Sequence, residues 1–263
     1  MLETSVLRVG EASLACHALG NGRVALFIHG FPLDHRMWLD QLIALSRHRR
    51  CVAVDLRGHG ASPWVGDAVH SPELLADDLA AVIEAITLEG ADVVALSMGG
   101  YVALALAERR PELVRTLTLI DTRSGSDTDQ TRTGRDTMAE VAATEGTGRV
   151  AADMIPRLVA AGAGVLVRAR LRTMIEETPA ETMVADLRGM RDRPDRTQVL
   201  ATLEAPLAVL VGEHDAITPP EEAAAMAESG GVTARVIPGA GHMSPMEHPE
   251  AVNRWVLEHW LRS

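Results

Sequence analysis

The chain predicts an α/β protein, a mostly parallel sheet with helices on both faces and a helical insertion. Three observations predict it. Short apolar runs alternate with helix-period segments over residues 24–120, the alternation stops between residues 121 and 200, and it resumes from Pro206 onward. A strand covered on both faces reads as a continuous apolar run, and residues 24–28 (VALFI) have that form.

The elements follow in order. Residues 4–19 give two short strands around a turn at Gly10, with a loop at Gly20-Asn21-Gly22. The strand over 24–28 ends at His29-Gly30. Residues 37–47 repeat apolar side chains at helical spacing (Trp38, Leu42, Leu45), and residues 51–54 form the next buried strand, ending at Asp55. Ser71-Pro72-Glu73 supplies an N-cap and a proline at the first helical position, opening a helix that runs to about Leu88. A strand at 92–96, a helix at 98–109 and a strand at 117–120 follow. From Asp121 to about Leu200 only helical segments are found, near 133–145, 147–160, 164–177 and 180–192. A strand at 206–211, a helix at 219–229, a strand at 233–238 and a helix from about 246 to 261 complete the chain. The expected division is a core of 1–120 and 201–263 with a helical cap, or lid, over 121–200.

Composition narrows the function. Hydrophobic residues make up 47% of 263, enough for a sizeable core. The formal net charge of -11 repels a phosphate backbone, so nucleic acid is not an expected partner. All basic residues are arginine; there is no lysine. Cys16 and Cys51 lie in apolar strands and are expected to stay free, which suits a reducing compartment. The first ten residues lack an apolar core of the secretory type. The longest uncharged apolar stretch, residues 93–107, is too short for a bilayer and holds Gly99-Gly100. The expectation is a cytoplasmic protein with no membrane association. No His/Cys/Asp/Glu cluster has metal-ligand spacing, and there is neither a P-loop nor a dinucleotide fingerprint, so no metal and no cofactor are expected. The sequence leaves the oligomeric state open.

The strongest local signal is Leu96-Ser97-Met98-Gly99-Gly100, where a strand must turn sharply into a helix with Ser97 at the tip. Small residues two before and two after the serine let the chain pass close to itself; here they are Ala95 and Gly99. An ordinary strand-to-helix turn is the plainer alternative, and the flanking strand and helix argue against it. A serine hydroxyl needs a base, and the base needs a third group to fix its tautomer. Four histidines follow Ser97: 214, 242, 248 and 259. His242 lies in the glycine-rich loop Gly239-Ala240-Gly241-His242 directly after a strand, whereas His248 reads as a helix-start residue and His259 falls inside a helix. For the acid, Asp215 follows a strand in Gly212-Glu213-His214-Asp215 and precedes the His242 unit; Asp121, at the end of an earlier strand, is the alternative. The oxyanion hole needs two backbone N–H groups, and Met98 and Phe31 (in His29-Gly30-Phe31-Pro32) are the candidates. His29 reads as a loop-fixing residue.

Five segments in register carry a resemblance. His29-Gly30-Phe31-Pro32, the stretch Asp55-Leu56-Arg57-Gly58-His59-Gly60-Ala61-Ser62, Ser97-Met98-Gly99-Gly100, Gly212-Glu213-His214-Asp215 and Gly241-His242 resemble the α/β-hydrolase superfamily in order and spacing. The resemblance covers nearly the whole chain. It implies the α/β-hydrolase fold, an eight-stranded, mostly parallel sheet with a helical cap over the site. Ala95 departs from the glycine usual at that place, and Ser97 argues against the subfamilies whose nucleophile is aspartate. What remains looks like carboxylesterases, 3-oxoadipate enol-lactonases, meta-cleavage C–C hydrolases and cofactor-free perhydrolases, with the short cap closest to the lactonase and small-esterase types.

The leading expectation is a serine carboxylesterase or lactonase acting on a small-molecule ester or lactone through an acyl-serine intermediate. A C–C hydrolase or perhydrolase is the enzymatic alternative, separated by comparing aryl esters with ring-fission diketones. A ligand receptor on a hydrolase fold is the non-enzymatic one, discarded by a Ser97-dependent burst. The cap carries Met138, Met154, Met174, Met183 and Met190, whose thioethers suit irregular apolar surfaces, and Arg168, Arg170 and Arg172. Arg168 and Arg172 share a helix face and read first as a solvated charged surface; the functional alternative is that one of them binds a substrate carboxylate, which would be tolerated only if a cap arginine faces the pocket.

Overall fold

The computed structural model describes residues 2–262, so Met1 and Ser263, the outermost residues of the expected core, lie outside the described residues. Strand β1 (Glu3–Val9) pairs antiparallel with β2 (Ala12–Leu19), which pairs antiparallel with β4 (Arg50–Val54). From there the sheet is parallel: β3 (Val24–Ile28), β5 (Ala91–Leu96), β6 (Val114–Ile120), β7 (Leu207–Gly212) and β8 (Arg235–Ile237) complete the order β1-β2-β4-β3-β5-β6-β7-β8. Every residue of β3 and β5 is buried, as a strand covered on both faces requires.

The helices outside the insertion fall into two groups. α1 (Leu39–Leu45) packs with α11 (Pro249–Arg262), while α2 (Pro72–Ile86) packs with α3 (Met98–Arg109) and α8 (Thr197–Thr202) with α9 (Pro220–Ser229). Helix α2 begins where the sequence places its cap: the Ser71 side chain accepts from the amide of Leu74, and Pro72 follows. Between β6 and β7 lie α4 (Asp129–Thr144), α5 (Thr147–Leu158), α6 (Val165–Glu177) and α7 (Ala180–Arg191), where four helices are expected, followed by the short α8. No helix among the described residues is long and apolar enough to cross a membrane.

Three details differ from expectation. β6 starts at Val114, which pairs with Ala91 across a register shift that the apolar pattern does not reveal. α8 is an additional short helix. The last helix is divided into α10 (Ser244–Glu247) and α11, because Pro249 has no N–H to continue the ladder.

Parallel pairing puts the C-terminal ends of β3, β5, β6, β7 and β8 on one edge, where ligands of open α/β sheets bind. The same edge, at the end of β4, is held by a polar knot. Asp55, buried after β4, accepts from the amides of His35 and Ala61 and bonds to His17 and His35, joining β2 to two loops. These three side chains converge although no spacing in the sequence announces it. Their imidazoles stack at 3.4 Å with planes 14° apart, so one ion cannot lie in both ring planes, as metal ligation through both would require. Cys16 and Cys51 are buried and free.

Candidate active site

β5 delivers Ser97 to the binding edge in a strained conformation, φ 53° and ψ -117°, with α3 starting at the next residue. Left-handed backbone at a non-glycine residue costs on the order of 1–3 kcal/mol and persists only where the surroundings enforce it. Here the enforcement is visible. The amide of Ser97 donates to Ile120 O, and a side chain at Gly99 would place its Cβ 2.5 Å from Ile28 O. Only glycine lets the first turn of α3 sit on the end of β3.

His242 reaches Ser97 from the loop after β8. Its Nε2 lies 2.9 Å from Ser97 Oγ, and its Nδ1 lies 2.8 Å from Asp215 Oδ2. The Asp215 carboxylate is fixed in turn: Oδ1 accepts from the amides of Ile217 and Thr218, and Oδ2 from the Thr218 hydroxyl at 2.6 Å. His242 and Asp215 are buried. Burial opposes charge on the imidazole, but the Asp215 carboxylate outweighs it and raises the pKa of His242. Burial likewise pushes Asp215 up, and the attraction and hydrogen bonds of His242 and Thr218 bring it below the ordinary carboxylate value. A carboxylate on Nδ1–H leaves Nε2 free to accept a proton from Ser97.

Asp121 stands apart from this chain of hydrogen bonds. Its Oδ1 accepts from the amide of Gly212 at 2.7 Å, and its Oδ2 bonds to the amide and hydroxyl of Ser244 at 3.2 and 2.5 Å. It ties the Asp215 loop to the His242 loop without contacting the imidazole.

The two amides expected to face an oxyanion flank Ser97. Met98 is the first residue of α3, where helical N–H groups lack intrahelical partners and the dipole favours negative charge. The Gly30-Phe31 segment runs against the serine so closely that a Cβ on Gly30 would lie 3.2 Å from Ser97 Cβ. His29 holds this loop: its Nε2 accepts from the Leu56 amide and its Nδ1 bonds to Gly30 O. Burial, then the neighbouring His59, lowers its pKa to about 4, so the ring stays neutral.

The family model described as "Alpha/beta hydrolase family" matches residues 25–255, nearly the whole span of these elements. The chain belongs to the α/β-hydrolase family. Among solved structures similar to this α/β hydrolase is a thermophilic esterase from Thermogutta terrifontis, with malate bound. It is 39% identical with a TM-score of 0.93, the match covering 99% of this chain and 98% of that one. The enol-lactonase from Burkholderia xenovorans LB400 is 25% identical with a TM-score of 0.89, covering 98% of this chain and 100% of that one. A curated relative, the AB hydrolase superfamily protein YisY of Bacillus subtilis, is 39% identical over 102 residues, 38% of this chain. That match spans 37% of the relative's length.

In this α/β hydrolase a cavity of about 420 Å³ opens onto Ser97 and His242. Its apolar wall includes Phe31, Met138, Met154, Leu158, Leu187 and Met190. Of the five methionines of the insertion, Met138, Met154 and Met190 line it, while Met174 and Met183 are buried in the packing between elements. Arg168, Arg170 and Arg172 sit outside the cavity, as a charged surface face would, and the alternative in which Arg168 or Arg172 meets a substrate carboxylate is not met. Arg168 donates to Ala160 O at 2.9 Å, Arg172 pairs with Glu176, and Arg170 with Asp40; none lines the cavity. The face of α6 that packs inward carries Leu171, Met174 and Ile175, which turns these arginines away. The cavity arginines are Arg123, Arg135 and Arg157, on the strand exit and on α4 and α5. Helical period alone could not have selected them, because the orientation of each helix is set by packing.

Proposed function

We propose that this chain is a serine hydrolase that cleaves a carboxylic ester or lactone through an acyl-serine intermediate, with residues 121–200 acting as the cap. The observation that carries the reading is the continuous hydrogen-bonded path from Ser97 Oγ through His242 to Asp215. The esterase and enol-lactonase among its structural relatives support the substrate class.

In this mechanism Ser97 Oγ attacks the carbonyl carbon as His242 Nε2 takes its proton. The carbonyl oxygen becomes an oxyanion facing the amides of Phe31 and Met98. Collapse expels the alcohol, which leaves with the proton from His242, and the acyl group stays on Ser97. Water then attacks the acyl carbon, giving its proton to His242, and the acid departs as Ser97 recovers that proton. Asp215 stays ionised throughout, holding the tautomer and stabilising the imidazolium.

The test is Ser97→Ala assayed on p-nitrophenyl acetate and a γ-lactone, with a fluorophosphonate label read by mass spectrometry. Turnover should disappear with the fold intact, and the label should sit on Ser97 of the unsubstituted protein. Activity above a few per cent of the original, or a label elsewhere with Ser97 free, defeats the proposal.

A further inference from the structure

The charge of the cavity is opposite to that of the molecule. The chain carries -11 overall, yet the cavity wall holds three arginines and no aspartate or glutamate. Their partners do not balance them. Asp127, buried, takes the Arg135 guanidinium and also Arg193 Nη1 at 2.6 Å, so one carboxylate serves two cations. Arg193 in turn stacks over the ring of Tyr101, 3.9 Å from its centroid, and Tyr101 lines the cavity one helical turn beyond Ser97. Arg123 pairs with Glu222 at 2.9 Å. Arg157, at the exposed rim beside Met154 and Leu158, has no ion pair or hydrogen bond among the described residues. Four arginines thus answer to two carboxylates around a partly apolar chamber. Arg135 and the buried Arg193 share the single Asp127 carboxylate, so charge drawn out of water there is only half neutralised and a bound ligand's anion would complete it, while Arg157 stays solvated at the mouth.

We infer that the wall formed by Arg135, Tyr101 and Arg157 is a carboxylate subsite, and that the preferred substrate is an ester or lactone carrying a free carboxylate. A half-ester of a dicarboxylic acid is the simplest such molecule. The inference rests on the serine-hydrolase reading for its substrate bond, but the subsite can be tested without turnover. The apolar wall accommodates the methylene spacer, the guanidiniums fix the charged end, and Ser97 meets the ester end. An anion also approaches this cavity against less repulsion than the rest of the surface would present.

The experiment compares monomethyl glutarate with dimethyl glutarate as kcat/KM, in the unsubstituted protein, Arg135→Gln and Arg157→Ala. In parallel, glutarate binding to Ser97→Ala is measured by calorimetry, alone and combined with each arginine substitution. The half-ester should be favoured, and its advantage over the diester should fall at least about tenfold in Arg135→Gln and about threefold in Arg157→Ala, whose exposed charge is screened. Glutarate affinity should fall in the same order, and 0.5 M sodium chloride should shrink both effects. If both esters are turned over and the ratio ignores both substitutions, the subsite is wrong while the hydrolase stands. If neither ester is turned over, the hydrolase reading fails on these esters and the glutarate measurement decides the subsite by itself: arginine-dependent binding upholds it, and absent or arginine-independent binding overturns it. Should Arg135→Gln not fold, the rim substitution Arg157→Ala carries the same decision.

Discussion

Strands β6 and β7 end side by side, each delivers a buried aspartate to the same edge of the sheet, and the two carboxyls behave oppositely. Asp215 meets an imidazole nitrogen and is held ionised. Asp121 meets an amide and Ser244, and burial, reinforced by the negative charge of Asp215, pushes its pKa to about 8. Residue type, burial and strand-end position are shared. What separates them is the partner: a group that can become a cation supports a charge, while amides and a hydroxyl leave the second carboxyl free to keep its proton. Two adjacent buried carboxyls therefore divide into a proposed orienting acid and a brace between loops.

That division can be broken most decisively by Asp215→Asn. The amide would donate to His242 Nδ1, moving the ring proton to Nε2, where it blocks acceptance from Ser97. A fall in kcat of about 10⁴ is expected, measured by steady-state kinetics on protein shown to be folded by circular dichroism. A larger loss in Asp121→Asn than in Asp215→Asn would reverse the assignment.

Asp121→Asn should act on stability first. Its amide nitrogen must face either the Gly212 amide or the Ser244 amide, leaving one buried donor without an acceptor. A loss of about 1–3 kcal/mol in denaturant unfolding is expected, with kcat retained within about tenfold. Unchanged stability would remove the bracing role.

The smallest effect concerns pH. His242 must be neutral to accept the serine proton, and its pKa is raised by Asp215, so kcat/KM should fall as pH drops through a value above the ordinary histidine figure of about 6.5. Asp215→Asn should move this acid limb downward, measured on whatever residual rate remains. Asp121→Asn should move it less, since Asp121 raises the imidazole's pKa less than the charge and hydrogen bond of Asp215 do. An acid limb that moves equally in both variants would mean that the two carboxyls share the imidazole's charge.

The elbow at Ser97 was legible because it is local: strand, serine, glycine and helix are consecutive, and the strain seen at φ 53° follows from that compression. His242 was legible because a glycine-rich loop after a strand can only hang at the sheet edge. The choice between Asp215 and Asp121 rested on motif and chain order, and the distances to His242 agree with that order. The arginines were not legible. Arg168 and Arg172 share a face of one helix while Arg135 and Arg157 lie on two others, and spacing cannot say which face of which helix turns inward. Nor could it show the Asp55 knot, whose histidines arrive from β2 and from the loop after β3.

By itself, then, the sequence determined the order of strands and helices, the insertion between β6 and β7, and the short-range geometry around Ser97, because these depend on backbone conformation and on apolar period. Tertiary structure alone decided which charges face the cavity and which remote side chains gather on Asp55. Those outcomes depend on distances between groups remote in the chain, and a shift of a few ångströms exchanges a hydrogen bond for solvent.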